Sequence, residues 1–197
     1  MKVFRLSMGV IALALLAGCA TESAKIDAIQ AVNRLFKQRY EVVLAERGTR
    51  AFPVTRQHAI GAMKSTLLSM DMAVSNDDAE MGYLRVFAPA PLPLSKDEWA
   101  SAADTDGPWM RQVIAEHVGI VGHFVKFEPQ GLDVVITATA IDAPPGTKVS
   151  LTMRLQETQP PRSGWPRREY PPPSAVRIGL DKIWARFEKE LKVAQGA

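Results

Sequence analysis

The stretch from Val121 to Gln156 constrains the fold more than any other part of the chain. Val121, His123, Val125 and Phe127 alternate with Gly122, Phe124, Lys126 and Glu128. After the turn Pro129-Gln130-Gly131, Leu132, Val134, Ile136, Ala138 and Ala140 alternate with Asp133, Val135, Thr137, Thr139 and Ile141. After a second turn, Ala143-Pro144-Pro145-Gly146, Val149, Leu151, Met153 and Leu155 alternate with Lys148, Ser150, Thr152, Arg154 and Gln156. A period of two puts alternate side chains on opposite faces of a strand, so one face is apolar and the other mixed. Three such runs joined by tight turns predict an antiparallel meander with one buried face. Phe124, Val135 and Ile141 fall on the other face, part of which is therefore expected to be covered.

A sheet with one apolar face needs a cover, and the flanking segments read as helices. Val176, Leu180, Ile183, Trp184, Phe187 and Leu191 form a broad stripe at helical spacing, Glu188 and Lys192 make an i,i+4 pair, and Ser174 is the expected N-cap. This helix is expected to cross the sheet. Upstream, Thr55 is an expected N-cap for a helix over 56–71 carrying Ile60, Met63, Leu67 and Met70. Residues 47–54 read as extended, and a hairpin is expected between Ala73-Val74 and Tyr83–Phe87, across a polar turn. Pro89, Pro91 and Pro93 favour a stiff extended connection over residues 88–94. Ser95-Lys96-Asp97-Glu98 fits a capping box. A break is expected at Asp104–Gly107, with Pro108 opening a second helix that Gly119 stops. Residues 159–173 are rich in Pro and Arg and read as irregular. The fold class is α+β: one antiparallel sheet of about five to six strands, ending in the meander, packed against helices that include a long C-terminal one.

The N-terminus reads as an address. Lys2 and Arg5 precede an apolar run from Leu6 to Leu16, too short to span a bilayer stably, and the run ends in Leu16-Ala17-Gly18-Cys19. This resembles the lipobox of bacterial lipoproteins, which implies cleavage of residues 1–18 as signal peptide, with Leu16, Ala17 and Gly18 read by the peptidase. It also implies acylation of Cys19. Ala20 after the cysteine implies sorting to the outer membrane, facing the periplasm. Residues 19–46 are then a lipidated tether and an amphipathic helix through Ile26, Ile29, Val32 or Asn33, Leu35, Phe36 and Tyr40; residues 47–197 are the α+β periplasmic domain. The helix either docks on the domain or lies on the membrane, and docking is the simpler expectation because most apolar stripes are buried in protein.

A lipobox joined to a sheet that grips a C-terminal helix resembles the helix-grip lipoproteins of the BamC family, from the outer-membrane barrel-assembly machine. The resemblance covers residues 47–194 as topology. That family carries two such domains behind a long lead segment. This chain has room for one and lacks the lead, so the resemblance implies a fold and a compartment rather than a role in barrel assembly.

Composition excludes several functions. Of 24 Lys and Arg against 21 Asp and Glu, Lys2 and Arg5 leave with the leader; 22 against 21 gives a net charge of +1, which is no basis for nucleic-acid binding. One cysteine rules out an internal disulfide, and once acylated it is no nucleophile. His58, His117 and His123 lack the spacing of a metal set and are expected to be structural, with no metal or cofactor. Asp77, Asp78 and Glu80, and Asp97, Glu98 and Asp104, are expected to be solvated hairpin and helix-start acids. No catalytic residue is assigned. Arg162, Trp165, Arg167, Arg168 and Tyr170 form the candidate partner-binding loop, because guanidinium forks pair with carboxylates or phosphates and aromatic rings cover apolar or sugar surface. The expected function is a non-enzymatic, membrane-anchored module that binds another envelope protein or peptidoglycan. The alternatives are a carrier whose apolar ligand is lined by Met63, Met70, Phe127, Met153 and Trp184, and, last, a cell-wall hydrolase.

Overall fold

The computed structural model of the chain describes residues 21–195, and side chains as far as Lys192. Leu16–Cys19 and the leader lie outside the described residues. In chain order the elements are α1 (Glu22–Arg47), β1 (Thr49–Phe52), α2 (Arg56–Leu68), β2 (Ala73–Asp78), β3 (Tyr83–Pro89), α3 (Lys96–Val118), a 3-10 turn (Gly119–Phe124), β4 (Leu132–Ala143), β5 (Gly146–Glu157) and α4 (Pro173–Gln195). The strands make one antiparallel sheet in the order β1-β5-β4-β3-β2. The α+β class is as expected.

Register places the apolar alternation on one face. Val134 opposes Leu155, Ile136 opposes Met153, Ala138 opposes Leu151 and Ala140 opposes Val149. All eight are buried. The α4 residues Val176, Leu180, Ile183, Trp184 and Phe187 have no exposed surface, and α2 buries Ile60, Met63 and Leu67 in the same core. Among the described residues, no helix covers the opposite sheet face. Val135 is buried there, but Ile141 is exposed.

Several expectations about the elements are corrected. Residues 121–128 are not a strand. Both edges of β4 are taken, by β3 and β5, so the alternating run finds no partner beside it. Gly119, at φ +69°, turns the chain off α3, and the 3-10 turn folds back with Gly122 against Ala115 and Ile114. The meander is instead β2-β3-β4-β5, with α3 inserted between β3 and β4.

The break at Asp104–Gly107 does not occur either. Helix α3 runs through Pro108, clamped by α1 and α4, so packing outweighs the hydrogen bond that proline forfeits. The capping box at its start is formed as expected: Glu98 N–H donates to Ser95 Oγ at 3.1 Å, and Ser95 N–H to Glu98 Oε2 at 2.6 Å. The proline segment after β3 folds into successive turns rather than an extended rod, with Leu92 N–H bonded to Pro89 O and Leu94 N–H to Pro91 O.

Ser174 is not the cap of α4. It lies inside the helix, and Asp106 of α3 supplies the acceptor. Ser174 N–H donates to Asp106 Oδ2 at 2.8 Å, and its hydroxyl to Oδ1 at 3.0 Å. Burial pushes the Asp106 carboxyl above its ordinary pKa, against the opposing pull of those two bonds. An acid whose pKa is raised by folding favours the native state fully below its unfolded pKa, and loses that contribution as pH climbs through the folded one. Wild type is therefore expected to gain stability over Asp106→Asn as pH falls from 7 toward 4, read from urea melts at each pH. Asp106→Ala strands the Ser174 N–H and is expected to cost about 1–2 kcal/mol. Glu98 acts in the opposite sense. Its hydrogen bond from Lys182, then that from Ser95 N–H, hold it below the ordinary carboxylate range, so its contribution is lost on acidification.

Helix α1 begins at Glu22, capped by Thr21, so most of the stretch between Cys19 and Ile26 is helix rather than tether. It docks, as expected: Ala28, Val32, Phe36, Tyr40 and Val43 are buried, and the helix packs on α3 and α4.

Candidate functional site

The Pro- and Arg-rich loop between β5 and α4 is largely occupied in holding the fold together. Tyr170 is buried, edge-on to Tyr40 with ring centroids 5.4 Å apart, and the Arg154 guanidinium lies 4.0 Å from its ring centre. Leu155 N–H donates to Glu169 O at 2.9 Å, so the loop closes the part of the β5 edge that four-residue β1 leaves open. Arg168 Nε donates to Glu157 Oε1 at 2.9 Å, and Trp165 Nε1 to Glu22 Oε1 at 2.7 Å. Asn33 Nδ2 donates to Arg167 O at 2.7 Å. Arg162 and the Arg167 side chain remain exposed. Tyr170 therefore sits in the core, Trp165 faces α1, and Arg167 and Arg168 alone border a groove on the open sheet face, of about 530 Å³, with Tyr83, Arg85, Arg154, Glu157 and Glu169. Both signs of charge line it.

A different cavity has the composition of a ligand site. It lies between the first turns of α1 and the end of α3, and measures about 400 Å³. Helical spacing supplies two walls: Ala28, Ile29 and Val32 from α1, and Met110, Ile114 and Val118 from α3. The 3-10 turn and the chain leaving it supply the third, Val121, Val125 and Phe127. Phe127 rests on Phe36, with centroids 5.6 Å apart, and near Trp99 at 6.1 Å. Lys25, Lys126 and Arg168 also border the cleft, against one acid, Glu128. Its volume falls in the ~300–1,000 Å³ range of small-molecule sites. Apolar walls with a cationic margin suit an apolar chain carrying an anionic head, held by burial at one end and charge at the other.

The cleft was hidden in the sequence because its walls come from three separated segments. Its one local signal is apolar residues that the stripes of α1 and α3 leave half-buried, Ile29, Ile114 and Val118. The expected lining of an apolar-ligand site is corrected. Met63, Met153 and Trp184 have no exposed surface and Met70 is buried, all within the core that α2 and α4 make with the sheet; Phe127 alone reaches the cleft.

The other candidates fall apart spatially. His58 is half-buried in the first turn of α2. His117 and His123 are exposed, the latter on the 3-10 turn rather than on a strand face, so neither is an interior structural histidine. No group of three or more His, Cys, Asp or Glu that could hold a metal ion occurs among the described residues. Lys64 pairs with Asp77, and Asp78 Oδ1 accepts from Met81 N–H at 2.9 Å. No described helix is long and apolar enough to cross a membrane. Compared with known proteins, the chain matches no family model, no curated protein and no solved structure.

Proposed function

We propose that the protein is a lipid-anchored, non-enzymatic binding module of the cell envelope, held at the outer membrane through Cys19, and that its ligand is an anionic amphiphile whose tail enters the cleft between α1 and α3. The single observation that carries the ligand class is the pairing of nearly all-apolar walls with Lys25 and Lys126 beside them. The lipobox resemblance at Leu16–Cys19 supports the compartment. This reading keeps the carrier idea and moves its site from the core to the helix cleft.

The test is saturable binding of cis-parinaric acid to residues 20–197, followed by its fluorescence. Ile114→Trp fills the cleft from a half-buried position and is expected to weaken binding at least about tenfold, or ~1.4 kcal/mol. Lys25→Glu with Lys126→Glu is expected to weaken the acid while leaving its methyl ester unaffected. Absence of saturation, or equal affinity in the Ile114→Trp variant, removes the ligand assignment. Separately, Cys19→Ala is expected to move the protein out of the membrane fraction; retention there removes the anchor.

A further inference from the structure

The 3-10 turn after α3 leaves Ile120, Val121 and Phe124 exposed, at 73%, 50% and 78%. The other large exposed apolar side chains among the described residues are scattered singly over α1, α2 and the sheet. Three within five residues make a knob. The knob is held in place: a Cβ on Gly122 would lie 2.5 Å from Ala115 N, so the turn is seated directly on the α3 backbone. Exposed apolar clusters of this kind mark contact surfaces.

Its position identifies the contact. Val121 shares the cleft with Lys25 and Ile29, so the knob stands beside the first turns of α1. Helix α1 is capped by Thr21, two residues after Cys19. A chain anchored at Cys19 has no length with which to hold this end away from the bilayer, since two extended residues reach only about 7 Å. Lys25 and Lys126 border the cleft that Val121 lines and carry the charge that lipid phosphates attract.

We propose that Ile120, Val121 and Phe124 insert into the acyl boundary of the membrane that holds the anchor. The knob is then a second, non-covalent attachment that orients the domain, with the cleft beside the lipid surface and the Met81 hairpin tip pointing away. This inference rests on the acylation of Cys19 proposed above. The hairpin tip is placed by the sheet: Gly82 O accepts from Ala140 N–H near the far end of β4, whereas the knob leads into the Leu132 end.

The experiment uses the full lipidated chain in phosphatidylethanolamine–phosphatidylglycerol vesicles. Acylation consumes the one native thiol, so Phe124→Cys and, separately, Met81→Cys take a nitrobenzoxadiazole label at one site each; both positions are exposed, so neither change disturbs the core. Brominated lipids are expected to quench the label at 124 at least twofold more than at 81, with a blue-shifted emission at 124 alone. Equal quenching at the two sites overturns the insertion. A blue shift at 124 without quenching assigns the knob to a protein contact and also overturns it. The intact mass of the same sample reports whether Cys19 carries lipid, so loss of the anchor and loss of the insertion are read separately.

Discussion

Trp184→Ala is expected to destabilise the protein by about 3–5 kcal/mol, the usual range for emptying a buried aromatic site. Trp184 has no exposed surface and sits where α4 crosses the sheet, with Phe52 and Phe187 each 5.9 Å from it between ring centroids. Its indole N–H donates to Arg47 O at 2.7 Å, tying α4 to the last residue of α1. Two effects are thus combined, and Trp184→Phe separates them. Phenylalanine keeps most of the packing and strands the Arg47 carbonyl, so its loss is expected nearer ~1–3 kcal/mol. Urea unfolding at constant m-value reads both. A loss below about 1 kcal/mol for the alanine variant would contradict a core centred on this helix.

Phe36→Ala is expected to cost a comparable ~3–5 kcal/mol, although Phe36 lies in the 19–46 segment that the sequence places ahead of the domain. Phe36 is 1% exposed, edge-on to Trp109 at 5.3 Å and tilted on Phe127 at 5.6 Å. It joins α1 to α3 and supports the Phe127 wall of the cleft. The variant is therefore expected to lose cis-parinaric acid binding as well as stability. A helix serving only as a tether predicts an unchanged melt, and predicts that a chain starting at residue 47 folds normally. The packing predicts that such a chain loses its cooperative transition, because α3 would expose the apolar face that α1 covers.

The cationic margin of the cleft and the knob beside it give these stability effects a functional consequence. Both depend on α1 and α3 being held together, so weakening that contact is expected to loosen ligand and membrane binding together. The two sites share Val121.

Local chemistry was legible at several positions where a residue acts within its own segment. The Ser95–Glu98 box and the Thr55 and Gly119 helix ends depend on atoms three or four residues apart, and they form as the sequence predicts. So does the alternation of β4 and β5, whose apolar faces are buried in register. Legibility failed where the partner decides. The alternation over 121–128 is as regular as that of β4, but no free edge was beside it. The break at Asp104–Gly107 reads as a stop signal because the sequence does not disclose that Asp106 faces another helix, α4. The loop from Arg162 to Tyr170 has the composition of an interface, and it does form one, chiefly with its own chain.

The sequence by itself determined the faces of β4 and β5, the Thr55 and Ser95 caps, and an antiparallel sheet covered by a long C-terminal helix, because periodicity and capping act over a few residues. Only the tertiary structure decided that α1 belongs to the core, that the 3-10 turn presents its apolar side chains outward, and that a cleft opens between α1 and α3. Those features depend on how whole segments pack against one another, and burial there depends on which surfaces the neighbouring elements leave uncovered.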